Sequence, residues 1–287
     1  MADSSSPSSF SLSRFLSLET TDTGLAAADD EEDDLNELNE DEEYLRVLLD
    51  KESAHNRIDQ PHVHDSILIS RSEAIQWIFN VRSSLQFKFH TAYLSVTFID
   101  RFISVSPSHI THDDKPWAIR LLAVACLSLA AKTIDRTNWQ LSSLLQAEGF
   151  EFSNKAVQRM ELLVLTTLDW RMCSITPFRF IGYFVSCLCN ESSSRDLVSM
   201  ISQIICAATI GKFINDRFDL NIMAHRSSTI AMAATLMAVD QGLTRESMEI
   251  KVKTSWVNQL FDHVSLSIVF FLYIRWDHIK KTFYKKK

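Results

Sequence analysis

From Asp41 onward the chain is built of apolar positions that recur every three or four residues, the spacing of one helical face. Tyr44, Leu45, Leu48 and Leu49 predict a first helix over Asp41 to Glu52. Ser70-Arg71-Ser72-Glu73 has the form of a capping box, with Ser70 as N-cap and Glu73 three residues on. It predicts a helix of roughly 71–87. Thr91 is positioned to cap the next helix, where Leu94, Phe98 and Phe102 recur and Pro107 lies beyond the end. The run Leu121 to Lys132 carries no charge before its last residue. It predicts a helix of roughly 114–133, buried almost all round. A short fourth helix is expected to start at Asn138 or Trp139. After a break at Gly149, Ser153 caps a fifth. On that fifth helix Val157, Glu161, Val164 and Leu168 share one face, so Glu161 falls at the edge of an apolar stripe.

Thr176 precedes Pro177, and a residue before proline disfavours helix, which places a boundary near Arg171 to Thr176. Three apolar segments follow, Phe178–Leu188, Leu197–Phe213 and Ser228–Val239, the last ended by Gly242. The uncharged run Val264 to Ile274 is too short for the ~20 residues that span a bilayer. It is expected to pack as a helix on the second half, with no membrane span. Three regions result: an arm over 1–40, a first helical domain over 41–175 and a second over 176–287, whose end is unusually apolar and then basic.

Composition narrows the class. Five Gly and five Pro are few for a fold rich in turns, so the expected class is all-α. The net charge of −7 hides an asymmetry, because residues 1–43 hold fourteen Asp/Glu and one Arg. Like charges with little apolar surface predict a disordered acidic arm. The remaining charges are scattered, with no basic stripe and interleaved aromatics, so nucleic acid is not an expected partner. Cys126 and Cys206 lie in apolar runs, and Cys187 with Cys189 forms a lone pair without a matching second one. Neither a disulfide framework nor a metal site is indicated, and a reducing, nuclear or cytoplasmic setting is expected. His62-Val63-His64-Asp65 is isolated and reads as a linker. No phosphate cradle, metalloprotease motif or nucleophile elbow is present, so neither a catalytic residue nor a cofactor is expected.

Two charged residues stand out against this background. Lys132 closes the apolar run and Glu161 opens another, Leu162 to Leu165. On general burial habits alone, Lys132 snorkels at a helix C-terminus and Glu161 is solvated. The alternative is that both point at one partner segment carrying the opposite charges.

The surrounding order of motifs favours the alternative. Arg71-Ser72-Glu73-Ala74-Ile75-Gln76-Trp77, then Thr91 to Phe102 with Asp100-Arg101-Phe102, then Leu129-Ala130-Ala131-Lys132, then Arg159-Met160-Glu161 together resemble the cyclin box. The stretch Tyr44 to Glu52 is similar to the segment that opens plant D-type cyclins. The resemblance implies two stacked five-helix cyclin-box domains and a non-catalytic regulatory subunit that activates a cyclin-dependent Ser/Thr kinase in cell-cycle control, at G1/S. It implies that Lys132 and Glu161 contact the kinase C-helix, with Leu121, Leu129 and Leu165 supplying apolar contact area. It also implies that Arg71, Asp100 and Trp77 serve as scaffold of the box, and that kinase inhibitors are further partners. A cyclin-fold adaptor that binds transcriptional or other partners without activating a kinase is the rival reading.

Three departures qualify the resemblance. Ser70 and Glu73 replace apolar positions of the usual Met-Arg-Ala-Ile-Leu substrate-docking patch. Leu16-Ser17-Leu18-Glu19 lacks the Cys of Leu-x-Cys-x-Glu and is one residue short, which weakens the case for a retinoblastoma-like partner. The Pro/Ser/Thr-rich tail usual in D-type cyclins is replaced by the apolar run and a Lys cluster.

Overall fold

A computed structural model describes residues 42–55, 65–107, 117–135, 152–188, 194–210 and 225–239. Among them are eight helices and no strands. In chain order they are α1 (Glu42–His55), α2 (Asp65–Leu85), α3 (Phe89–Val105), α4 (Trp117–Ile134), α5 (Asn154–Thr167), α6 (Phe178–Leu188), α7 (Ser194–Ile210) and α8 (Ser227–Val239). The acidic arm, Leu16 to Glu19, the helix expected near Asn138 and Trp139, and the Val264 to Ile274 run lie outside the described residues.

Two apolar cores organise the helices. The first is formed by α2, α3, α4 and α5, with Phe98, Phe102, Leu122, Leu127 and Val164 fully enclosed. The second joins α6, α7 and α8 through Phe180, Phe184, Ile201, Ile204, Ile230 and Ala234. Leu45 and Leu48 of α1 belong to the second core, and so does Tyr93 of α3. The first helix therefore packs on the second half of the chain, and α3 contributes to both cores. Each enclosed Leu, Ile or Phe is worth about 1.5–3 kcal/mol, which is what holds helices of modest intrinsic propensity in place. Every side chain from Leu121 to Ala131 on α4 is buried. By length and apolarity α4 could cross a membrane, but it is the central helix of the first core.

Two helix starts differ from the sequence expectation. Ser70 does not begin α2, which starts at Asp65. Ile67, Ala74, Ile78 and Val81 form one buried row, and tertiary burial of Ile67 extends the helix through the local capping signal. Thr91 does not cap α3; Lys88 does, with no side-chain bond. The Thr91 hydroxyl donates instead to Asp135 Oδ2 at 2.5 Å, across to the end of α4. Ser153 caps α5, accepting from the Ala156 amide at 3.2 Å.

Two helices end in Schellman-type turns without glycine. After α2, Gln86 has φ 57° and the Phe87 amide donates to the Arg82 carbonyl at 3.1 Å. After α5, Asp169 has φ 52°, and the Trp170 amide donates to the Leu165 carbonyl at 2.8 Å. The hydrogen bonds satisfy carbonyls that a helix end leaves open, offsetting the left-handed backbone. Residues 171–176 then run without regular structure from α5 to α6.

Candidate functional site

The site is built where the last turn of α4 crosses the middle of α5. Ser128 and Lys132 are four residues apart, hence on one face of α4, and both turn to α5. Glu161 lies in the buried row of α5 with Val157, Val164 and the following Leu168. The Lys132 ammonium donates to Glu161 Oε1 at 2.6 Å and to Oε2 at 2.7 Å. The Ser128 hydroxyl donates to Oε1 at 2.5 Å. The Glu161 side chain is 5% exposed and that of Lys132 31%, so a buried carboxylate holds a cation that reaches the surface. The C-terminal end of the α4 dipole favours the same cation. An ammonium has three N–H donors, and two are spent on Glu161. One is left, aimed by the carboxylate rather than by a flexible stem.

This geometry corrects two expectations. Lys132 and Glu161 are not presented as two separate charges; they bind each other. Leu121, Leu129 and Leu165 are buried at 6%, 1% and 0%, so they belong to the first core and are not contact area on the surface. Leu162, next in sequence to Glu161 but turned toward solvent, is 51% exposed. Lys155, Gln158, Arg159, Leu162 and Thr166 make up the outward face of α5. Helical spacing contained this signal, because Leu162 is two positions from Val164 and so points about 200° away from the core row.

Arg71 on α2 and Asp100 on α3 meet side by side. Arg71 Nε donates to Asp100 Oδ1 at 2.5 Å and Nη2 to Oδ2 at 2.7 Å, a two-point bond that fixes both angle and distance. Trp77 is buried in the first core. Neither residue of the ion pair touches Lys132 or Glu161 through a described hydrogen bond; the two pairs join different helices of the first core.

Several polar contacts were not legible in the sequence. Glu52 of α1 is 1% exposed and accepts from the Ser228 amide at 2.9 Å and the Ser228 hydroxyl at 2.6 Å. His90 Nε2 and Thr176 Oγ1 are 2.9 Å apart, and the His90 ring stacks on Phe178. Burial, with Arg179 and Lys88 adding positive charge, pushes the His90 imidazole down to about 3. Burial raises the Asp135 carboxyl, against the opposing bond from Thr91. Burial also holds the Cys126 thiol well above its usual range, with the Asp100 and Glu161 charges adding to it. Cys126 is thus an inert core thiol. Among the described residues no group of three His, Cys, Asp or Glu is gathered to hold a metal.

The described residues define an all-helical scaffold with two cores, the first braced by an Arg–Asp pair and carrying a fixed cation at its rim. Residues 43–173 match the family described as Cyclin, N-terminal domain. Cyclin-D5-1 of Arabidopsis thaliana is 32% identical over 246 residues, covering 83% of this chain and 73% of that protein. Cyclin-D1-1 of Oryza sativa subsp. japonica is 40% identical over 193 residues, covering 64% of this chain and 49% of that protein. Cyclin-D5-1 of the same rice is 37% identical over 191 residues, with 66% and 49% covered. The chain thus spans about half the length of the two rice relatives. The X-ray structure of a viral cyclin from herpesvirus saimiri superposes with a TM-score of 0.58 at 19% identity, over 84% of this chain and 95% of that one. That likeness speaks to the fold alone. The chain belongs to the cyclin family, and its similarity is to plant D-type cyclins.

Proposed function

We propose that the protein is a non-catalytic regulatory subunit that binds and activates a cyclin-dependent Ser/Thr kinase, acting at the G1/S step in the nucleus. The observation that carries this reading is the Ser128–Glu161–Lys132 cluster, a cation held rigid at the junction of two packed helices, with Leu162 exposed on the outward face of α5. An active kinase needs its C-helix swung inward so that a Glu can pair with the catalytic Lys. A partner favours that state only by contacts it makes better there than in the outward state. The remaining Lys132 donor suits a main-chain carbonyl of the partner, and the exposed Leu162 suits an apolar side chain of it. Because Glu161 fixes the ammonium before binding, little side-chain entropy is lost at association.

Co-purification with a panel of cyclin-dependent kinases, followed by a phosphorylation assay, tests the reading. The double variant Lys132→Met, Glu161→Leu keeps the cluster buried and neutral, so it should remain folded and lose kinase activation. Normal activation by this variant would remove the pair from the interface. Binding of other helical partners, with no kinase retained by the wild type, would favour the adaptor reading instead.

A further inference from the structure

A second basic site lies on the connection between the two halves. Arg101 on α3 is half-buried, and its Nη1 donates to the Ser174 hydroxyl at 3.2 Å across 73 residues of sequence. Arg171 is near enough that its charge, after burial, depresses the Arg101 guanidinium. Asp100, next in sequence, is engaged by Arg71. Among the described residues no carboxylate is paired with either Arg101 or Arg171, so the Arg101 guanidinium meets a neutral hydroxyl with a second positive charge, that of Arg171, in its neighbourhood. Two cations held together beside a hydroxyl are a poor arrangement for that hydroxyl and a good one for a dianion in its place.

The local chain suits delivery of that dianion. Residues 171–176 have no regular structure, Arg171 and Cys173 are exposed, and Ser174 is half-exposed. Arg171 stands three residues ahead of Ser174, the spacing at which an acidic pocket on a basic-directed Ser/Thr kinase reads its acceptor. The neighbouring linker positions are already tied down: the Ile175 carbonyl accepts from Ser227 at 2.7 Å, and Thr176 meets His90. Ser174 is therefore the position of this linker at which a modification could reach solvent and still face a fixed partner.

We propose that Ser174 is a phosphorylation site for an arginine-directed Ser/Thr kinase, and that the phosphate is clamped between Arg101 and Arg171. The Ser174 oxygen attacks the γ-phosphorus of ATP, a new O–P bond forms, the bond to the β-phosphate oxygen breaks, and ADP leaves. The hydroxyl proton passes to the general base of the modifying kinase. The phosphoserine carries close to two negative charges and three acceptor oxygens, and it would pin the linker to α3. The two halves would then be held more rigidly about their junction.

The test uses the full chain, ATP and a purified Ser/Thr kinase that requires arginine three residues before its acceptor. Mass spectrometry should find one phosphate on Ser174, absent in Ser174→Ala and strongly reduced in Arg171→Ala. Phosphorylation should raise the Tm by about 2–4 °C, the shift expected for a modest local gain in a chain of this size. Arg101→Gln should accept phosphate at the wild-type rate and show no rise. Failure to modify Ser174 in the folded chain would overturn the proposal. A phosphorylated wild type with unchanged or lowered Tm, or an equal rise in Arg101→Gln, would overturn the clamp.

Discussion

Glu52 caps a helix through Ser228, 176 residues further along the chain. Its two carboxylate oxygens take the backbone amide and the hydroxyl of Ser228, in the first turn of α8. A helix N-terminus leaves amides without partners and carries partial positive charge, so a buried carboxylate there is doubly favourable. The contact fastens α1, through Leu45 and Leu48, to the second core.

Removal of this cap should be costly. Glu52→Ala leaves the buried Ser228 amide and hydroxyl without their acceptor and is expected to lose about 1–3 kcal/mol. Ser228→Ala removes only the hydroxyl bond and should lose less. Urea denaturation measures both; a Glu52→Ala variant within about 0.5 kcal/mol of wild type, the ordinary surface range, would show that the cap is dispensable.

The Lys132–Glu161 pair should be more sensitive to losing one member than both. Lys132→Ala strands a nearly buried carboxylate with Ser128 as its remaining donor. The expected cost is about 1–3 kcal/mol, below the full value of a buried pair because Lys132 is partly in water. Replacing both residues with apolar groups, as in Lys132→Met with Glu161→Leu, should come close to wild-type stability. Chemical denaturation of wild type, Lys132→Ala and the double variant decides the point, and a double variant less stable than Lys132→Ala contradicts it.

His90 should give the fold a measurable dependence on acid. Its folded value of about 3 lies below the unfolded 6.5, because burial opposes the imidazolium. The stability linked to this group is fully present above pH 6.5 and is lost as pH falls from 6.5 toward 3, where the unfolded chain takes up a proton that the folded one excludes. The slope from one such group reaches about 1.4 kcal/mol per pH unit at most. His90→Gln should flatten the wild-type profile within this window, read as the difference in Tm between the two proteins at successive pH values. Parallel profiles would mean that the folded and unfolded chains protonate the ring alike, so that burial does not oppose the imidazolium.

Arg71 and Asp100 form a closed two-point bond between α2 and α3, so their substitutions should not add. A double-mutant cycle with Arg71→Ala and Asp100→Ala should yield a coupling of about 1–3 kcal/mol. Additivity in equilibrium unfolding would argue that solvent replaces the pair at little cost.

The helices themselves were legible along the chain. Periodicity located the buried row of α5, the all-round burial of α4 and the span Phe178–Leu188, because a 3.6-residue repeat reports burial whatever the neighbour turns out to be. Ser153 was readable as a cap for the same reason: its bond to Ala156 closes within one turn. Local signals misled at Ser70 and Thr91, where the reward lay in contacts far away in sequence. Ile67 gains burial in the first core, and Thr91 gains Asp135.

Which charges meet was decided by the tertiary structure. Composition and spacing marked Lys132 and Glu161 as unusual, but only the crossing of α4 over α5 turns them onto each other and closes Leu121, Leu129 and Leu165 into the first core. Glu52 read as one more acidic residue at the end of an amphipathic helix, until α8 placed an open N-terminus against it. A sequence repeat records how often a side chain faces inward. It does not record which partner waits there, because hydrogen bonds and ion pairs depend on distances of a few ångströms between segments that the repeat does not relate.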